Sequence, residues 1–137
     1  MSKLSEEDFH LLEAALQAMK NAYVVWGFPV GAAVLGEDGK VYVGCNVESR
    51  ISGLGVCAER CEIHHAVCHG IKKIRKIAIV IEDQNAERVV PCGACRQYIY
   101  DFSDGKAKII MAKAKNGKLV EKSVETCSIL DILPKPF

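Results

Sequence analysis

The chain has 137 residues, which fits one domain spanning residues 1–137. Half of the residues are hydrophobic, enough to bury a core without disulfide staples. Its 18 Lys and Arg residues nearly balance 17 Asp and Glu residues, so the formal net charge is +1. This balance argues against a protein that grips long nucleic acid, because phosphate contacts need clustered Lys and Arg.

The sequence has the features of neither a membrane span nor a signal peptide. Its apolar runs fall short of the roughly 20 residues that cross a bilayer. Residues 1–8 carry acids where a signal peptide has a basic and then an apolar region. The seven cysteines are odd in number, which argues against a disulfide framework. We therefore expect a cytoplasmic protein with no membrane partner, whose cysteines are buried hydrophobes, metal ligands or nucleophiles.

Helical and strand patterns alternate along the chain. Ser5 and Asp8 resemble a capping box, and apolar residues at helical spacing follow them, which predicts a first helix over about 5–21. The elements predicted after it are strands over 30–35 and 41–47, a helix over 57–69, a strand over 77–81, a helix over about 93–102, a strand over 108–112 and a short strand at 119–120. This order predicts the α/β class, with a three-layer α/β/α sandwich around a single mixed sheet of about five strands.

Two short segments carry the chemistry: Val56-Cys57-Ala58-Glu59-Arg60 and Pro91-Cys92-Gly93-Ala94-Cys95-Arg96. Cys-x-x-Cys alone is ambiguous, because redox pairs and structural zinc sites share it. Each segment, however, opens a predicted helix, and a helix N-terminus lowers the pKa of a thiol and so favours the thiolate that binds metal. Three thiolates on Zn²⁺ leave one coordination position open, as in catalytic zinc sites.

The fourth ligand decides between a structural and a catalytic zinc site. Other cysteines and the histidines are available to close the site, and Cys61, one turn beyond Cys57, is the best placed. Glu59 favours the catalytic alternative, because a hydrolytic site needs a carboxylate that takes a proton from activated water. We therefore favour a catalytic site, and keep a non-catalytic, zinc-stabilised binding domain as the alternative.

The pairing of Cys57-Ala58-Glu59 with Pro91-Cys92-x-x-Cys95 resembles the cytidine deaminases, specifically the small homotetrameric group that binds zinc through three cysteines. Nucleic-acid deaminases of the same superfamily usually carry His-x-Glu, where this chain has Cys-x-Glu. The near-neutral charge and the absence of a basic, aromatic-lined patch in the sequence make a nucleic-acid editor the least favoured function. Three further segments are similar to motifs of the family: Phe28-Pro29-Val30-Gly31-Ala32-Ala33, Asn46-Val47-Glu48 and Ile132-Leu133-Pro134-Lys135-Pro136-Phe137.

The resemblance implies hydrolysis of cytidine and deoxycytidine to uridine and deoxyuridine, with release of ammonia, as a step of pyrimidine salvage. Zinc activates the water, and Glu59 carries its proton to ring N3 and then helps to protonate the leaving ammonia. The implied residue roles are zinc ligation by Cys57, Cys92 and Cys95, stacking of the pyrimidine on Phe28, ribose binding by Asn46 and Glu48, and a hydrogen bond from the backbone N–H of Ala58 to the base carbonyl.

Other residues receive supporting roles. We expect Arg60 and Arg96 to offset the negative charge of the three thiolates. The family resemblance implies that Phe137 packs into the site of a neighbouring subunit in a homotetramer. Cys61, His64 or His65, and Cys68 lie near one face of the predicted helix, where packing in a subunit interface is favoured over a second metal site.

Two departures from the family pattern affect the expected pocket. Val25-Trp26 stands where the family usually has Tyr-Ser, and Cys61-Glu62 stands where it usually has Thr-Ala. We expect Glu62 to pair with a basic group across an interface. A deaminase of a modified cytosine nucleoside, such as blasticidin S, therefore remains an alternative, although Asn46 and Glu48 favour an ordinary ribose.

Overall fold

The computed structural model describes residues 4–83, 85–87 and 89–137, and one five-stranded sheet organises them. The helices and strands are α1 (Glu6–Met19), β1 (Val30–Gly36), β2 (Val41–Cys45), α2 (Ala58–Cys68), β3 (Ile74–Ile81), α3 (Gly93–Asp101), β4 (Lys108–Lys115), β5 (Lys118–Ser128) and α4 (Ile129–Ile132). The strand order is β2-β1-β3-β4-β5, with β3 and β4 parallel and the other pairs antiparallel. The predicted α/β class with a single mixed sheet of about five strands is confirmed.

Helices cover both faces of this sheet, as the alternation of side chains in β3 shows. Ala78 and Val80 pack in one core cluster with the apolar face of α1. Ile77 and Ile79 point to the opposite face and pack in a second cluster with residues of α2 and α3. Because β3 is buried on both faces, its sequence is a continuous apolar run rather than an alternating one.

The direction of the strands brings two helix N-termini to one edge of the sheet. β1 is antiparallel to both of its neighbours, so β2 and β3 run in the same direction on either side of it. The C-terminal ends of β2 and β3 therefore lie at the same edge, together with the start of β1. α2 follows β2 and α3 follows β3 along the chain. The carboxyl ends of strands are where α/β proteins generally bind ligands.

Two glycines allow the helices to lie close to the sheet at this end. A Cβ atom at Gly31 would lie 1.9 Å from the carbonyl oxygen of Ala15 in α1. A Cβ atom at Gly44 would lie 2.5 Å from the backbone nitrogen of Glu62 in α2. A side chain at either position would therefore push a helix away from the sheet.

A buried carboxylate ties α1 to the sheet. Asp8 completes the capping box with Ser5, as predicted, and its carboxylate also accepts hydrogen bonds from Lys76 Nζ at 2.9 Å and Lys108 Nζ at 2.7 Å. Burial alone raises the pKa of Asp8, but the two lysines and the backbone N–H of Ser5 outweigh it and hold the pKa well below its usual value. Asp8 therefore stays ionised and links α1 to both β3 and β4.

The structure differs from the predicted elements mainly at strand ends. The second strand ends at Cys45 rather than at residue 47, because Val47 pairs with Val56 and Tyr23 instead of with β1. β3 begins at Ile74 and β4 continues to Lys115, so both are longer than predicted. The largest difference is β5, expected as two residues and found as Lys118–Ser128. It is a half-exposed edge strand whose polar residues conceal the strand pattern. None of the helices in the described ranges has the length and apolar character that a bilayer crossing requires.

Candidate metal centre and active site

Three thiols meet where α2 and α3 begin. Cys57 is the N-cap residue of α2 and Cys92 is the N-cap residue of α3, and neither side chain caps its helix by a hydrogen bond. Cys95 lies in the first turn of α3 and is fully buried. The three Sγ atoms lie within 4.8 Å of one another. The predicted helix starts at both motifs are thus present, and they converge.

The donor set fits Zn²⁺. Zinc takes thiolate ligands at about 2.3 Å in a tetrahedral arrangement, which places ligand sulfurs roughly 3.8 Å apart. Within the part of the chain that the structure describes, no fourth Cys, His, Asp or Glu ligand atom joins the group. Cys61, the best candidate for closing the site, is not a member, and burial raises the pKa of its thiol. Three ligands and one open position are the arrangement of a catalytic zinc site.

Electrostatics favour the thiolate form at Cys57. Its pKa is lowered to about 5, first by a hydrogen bond from Cys95 and then by Arg60. Nη2 of Arg60 lies 3.6 Å from Cys57 Sγ, a distance suited to a charge-assisted N–H···S contact. The same contact raises the pKa of Arg60, so its positive charge persists. Arg60 thus contacts Cys57, and its expected role in offsetting the charge of the thiolates stays a prediction.

Arg96, unlike Arg60, donates hydrogen bonds to backbone carbonyl oxygens. Its Nε donates to the carbonyl oxygen of Pro91 at 2.7 Å, and its Nη1 donates to the carbonyl oxygen of Ile132 at 2.9 Å. These bonds fix the loop that leads into Cys92 and join it to the C-terminal segment. We therefore assign Arg96 a role in positioning Cys92, and its expected role in offsetting the charge of the thiolates stays a prediction.

Glu59 is a buried carboxyl group beside the thiols. It follows Cys57 by two residues, in the first turn of α2, and its side chain is buried. Burial raises the pKa of Glu59 to about 7, and the negative charge of Cys57 acts in the same direction. A carboxyl group with this pKa takes and releases protons readily at neutral pH. The backbone N–H of Ala58, the first residue of α2, has no acceptor within the helix.

Asn46 holds the start of β1 in place. Its Oδ1 accepts a hydrogen bond from Val30 N–H at 2.8 Å, and its Nδ2 donates to the carbonyl oxygen of Phe28 at 2.9 Å. Phe28 therefore has a fixed backbone, and its side chain is partly exposed at the site's edge of the sheet. Because Nδ2 carries two hydrogens, one donor of Asn46 remains for a ligand.

Glu48 is an anion inside a backbone cradle. Its Oε1 accepts hydrogen bonds from the N–H groups of Val25 at 2.6 Å, Trp26 at 2.6 Å and Gly27 at 3.1 Å. These bonds lower the pKa of Glu48 below its usual value. The sequence carried a signal for this cradle in Gly27, since a Cβ there would lie 2.6 Å from Oε2 of Glu48.

A short ladder connects this cradle to the first zinc-motif cysteine. Val47 and Val56 exchange two backbone hydrogen bonds, of 3.0 Å from Val47 N–H and 2.9 Å from Val56 N–H. Val56 directly precedes Cys57. On the other side, Val47 bridges to Tyr23. The segments that carry Trp26, Glu48 and Cys57 are therefore neighbours across one small ladder.

The remaining predicted positions make different contacts. His64 Nε2 lies 2.8 Å from the Tyr98 hydroxyl, and His65 Nδ1 lies 2.9 Å from the carbonyl oxygen of Val43. Throughout the described ranges, these histidines, Cys61 and Cys68 form no second group of three metal-ligand atoms. The aromatic ring of Phe137 is fully exposed, while its backbone N–H donates to Gln97 Oε1 at 2.8 Å.

A buried acid beside three thiols and one open position, at the ligand-binding edge of an α/β sheet, defines a zinc-dependent hydrolase. The chain matches the model of the cytidine and deoxycytidylate deaminase zinc-binding region over residues 5–113. It belongs to this family. The prediction of Zn²⁺ as the cofactor is thereby confirmed.

Similar proteins agree with this assignment. A cytidine deaminase of Sporosarcina psychrophila is 35% identical over 128 residues, covering 93% of this chain and 88% of the relative. A blasticidin-S deaminase of Bacillus cereus is 31% identical over 128 residues, covering 89% of each. The crystal structure of a cytidine deaminase from Burkholderia pseudomallei superposes with a TM-score of 0.83 at 34% identity, covering 98% of this chain and 100% of that one.

Glu62 is a second buried acid, one turn beyond Glu59. The expectation that it pairs across an interface is wrong, because its side chain is 0% exposed within its own chain. Neither carboxylate oxygen has a hydrogen-bond partner among the described residues. Burial, reinforced by Glu59, raises the pKa of Glu62 well above 4.5. Glu62 is therefore protonated in the folded protein under conditions where it ionises in the unfolded chain.

We predict that Glu62→Gln stabilises the protein increasingly as pH rises. A pKa raised by folding makes the contribution of Glu62 most favourable below about 4.5, and that contribution is lost as pH rises through the folded-state pKa. Between pH 5.5 and 8, the difference in free energy of unfolding should grow by at most about 1.4 kcal/mol per pH unit. Urea denaturation of the wild-type protein and of Glu62→Gln, at each of the two pH values, measures this difference in free energy of unfolding. Glu13→Gln, an exposed matched change, should show no such trend, and a pH-independent gap for Glu62→Gln would contradict the account.

Proposed function

We propose that the chain hydrolyses cytidine and deoxycytidine to uridine and deoxyuridine, releasing ammonia, and that it serves pyrimidine salvage. One observation carries the proposal: three thiols at two converging helix N-termini leave an open ligand position beside a buried glutamic acid whose pKa is about 7. In this proposal, Cys57, Cys92 and Cys95 hold Zn²⁺ and Glu59 is the catalytic acid and base.

Glu59 moves the protons of the reaction. Zinc supplies Lewis-acid activation of a water molecule. Glu59 takes the proton of that water and delivers it to ring N3, which makes C4 electrophilic. After oxygen adds to C4, Glu59 takes the proton of the new C4 hydroxyl and passes it to the amino group, so the C4–N bond breaks, ammonia departs and the C4 carbonyl forms. Water is consumed and ammonia is released, so no redox partner is needed. A pKa near the working pH suits a group that must both accept and donate a proton.

The substrate-binding proposal places the base and the sugar on different groups. Phe28 stacks on the pyrimidine, and the N–H of Ala58 donates to its carbonyl. The free amide hydrogen of Asn46 and Oε2 of Glu48 bind the ribose hydroxyls. Oε2 accepts only one long bond among the described residues, from Gly27 N–H at 3.2 Å, so it retains acceptor capacity. The bonds that fix both side chains keep them oriented without a ligand.

We also propose that residues 1–137 act as one domain in a cytoplasmic homotetramer. Large apolar side chains are exposed on the single chain, among them Tyr23, Val47, Ile51, Leu54 and Phe137. A neighbouring subunit that covered them would remove this apolar surface from water. The cytoplasm suits the seven cysteines, all of them free, because reduced thiols persist there.

We predict that Glu59→Gln keeps zinc but loses turnover. Gln has the shape of Glu and cannot exchange the proton, so kcat for cytidine should fall by about 1000-fold. Loss of cytidine absorbance with ammonia release measures activity, and metal analysis should give one zinc per chain for both proteins. Glu13→Gln serves as the matched control in an exposed helix position. Equal activity of Glu59→Gln and wild type would refute the role and favour a non-catalytic zinc domain.

The second candidate function is deamination of blasticidin S, which the Bacillus cereus relative's name supports. We predict that kcat/KM for cytidine exceeds that for blasticidin S by at least about tenfold, because a site that hydrogen-bonds sugar hydroxyls discriminates against a ligand lacking them. Steady-state assays of the zinc-loaded protein with both compounds decide between them. A preference for blasticidin S would overturn the assignment of an ordinary ribose to Asn46 and Glu48.

A further inference from the structure

Trp26 is an exposed side chain that is held at both ends. It is the single tryptophan of the chain, and its exposure is 70%. Its backbone N–H donates to Glu48 Oε1 at 2.6 Å, and its indole Nε1–H donates to the carbonyl oxygen of Ser49 at 3.0 Å. A large apolar ring fixed in this way presents a rigid surface to whatever covers it, with little side-chain entropy left to lose.

The position of this ring relates it to the nucleoside site. Trp26 lies two residues before Phe28. Glu48 fixes the backbone of Trp26, and Asn46, two residues before Glu48, fixes the backbone of Phe28. The ring's hydrogen bond to the Ser49 carbonyl places the indole against the residue that follows Glu48, and the Glu48 carboxylate, proposed to bind the ribose, bonds the backbone N–H of Trp26. The ladder through Val47 then connects this segment to the residue before Cys57.

We propose that Trp26 is a specificity-determining residue whose indole packs against the sugar of the nucleoside. This inference rests on the proposed function, in which Phe28 takes the base and Glu48 a ribose hydroxyl. An indole fixed beside Glu48 meets the sugar rather than the base. The carbon-bound face of a ribose is apolar, and its burial against an indole adds binding energy that does not depend on the chemistry at C4.

Intrinsic fluorescence tests the contact directly, because Trp26 is the sole tryptophan. The probe is uridine, the reaction product, added to the zinc-loaded wild-type protein. We expect a saturable change in Trp26 emission over the uridine concentrations that competitively inhibit cytidine turnover. Emission that stays constant while uridine inhibits would overturn the inference. So would emission that responds only to protein dilution, since that result assigns the ring to a subunit interface.

Kinetics of Trp26 variants supply the second test. Trp26→Ala should raise KM for cytidine about tenfold, equivalent to 1.4 kcal/mol, and leave kcat within about twofold, because the contact is the same in the ground and transition states. Trp26→Phe should recover part of the loss. Phe9→Ala removes an aromatic ring that is 46% exposed on α1, across the sheet, and should leave KM unchanged.

The outcomes separate this inference from the proposed function. A wild-type protein without cytidine turnover refutes the function itself. A wild-type protein that turns over cytidine, with a Trp26→Ala variant whose KM lies within twofold of it, refutes the role of Trp26 alone. A variant that does not fold leaves the fluorescence measurement on the wild-type protein, which decides the question without any substitution.

Discussion

The site depends on two helices that start at the same edge of one sheet. Because β2 and β3 flank the antiparallel β1, their C-terminal ends coincide, and each leads into a helix whose N-cap residue is a cysteine. The partial positive charge of each helix N-terminus favours thiolates. Cys95, one turn into α3, adds a third thiol on the same side. The sheet topology thus brings together residues that are 38 positions apart in the chain, from Cys57 to Cys95, before any metal binds.

The residues around this centre act on one another as much as on a ligand. Asn46 and Glu48 fix the backbone of residues 25–30 by hydrogen bonds, and those residues carry the two aromatic rings at the site. Glu48 is the more strongly held, because three N–H groups converge on one of its oxygens. The side chains proposed to recognise the sugar therefore also hold the backbone of the two rings, Phe28 proposed to contact the base and Trp26 proposed to contact the sugar. A change at Asn46 or Glu48 would therefore alter both sugar binding and the support of the backbone of residues 25–30. A change at Trp26 would alter only the proposed contact with the sugar.

The sequence predicted the chemistry of the site better than the limits of its strands. Cys57, Glu59, Cys92 and Cys95 stand out because few side chains bind zinc or move protons, and their spacing is compact. β5 was largely missed, because an edge strand with polar residues lacks the apolar alternation that marks a strand. The sequence alone also could not predict the hydrogen bonds of Arg96 or the burial of Glu62. Arg96 bonds two carbonyl oxygens that are distant along the chain, and Glu62 is buried because Gly44 lets α2 lie against the sheet.

The proposed function requires that three thiolates hold zinc and leave its fourth position to a non-protein ligand. Zinc X-ray absorption spectroscopy on the loaded wild-type protein measures this directly. The account predicts three sulfur neighbours at about 2.3 Å and one oxygen neighbour at about 2.0 Å. Four sulfur neighbours would contradict this expectation, because a fourth cysteine would then close the site. Cys61 is the best-placed candidate, and zinc would in that case have a structural role only.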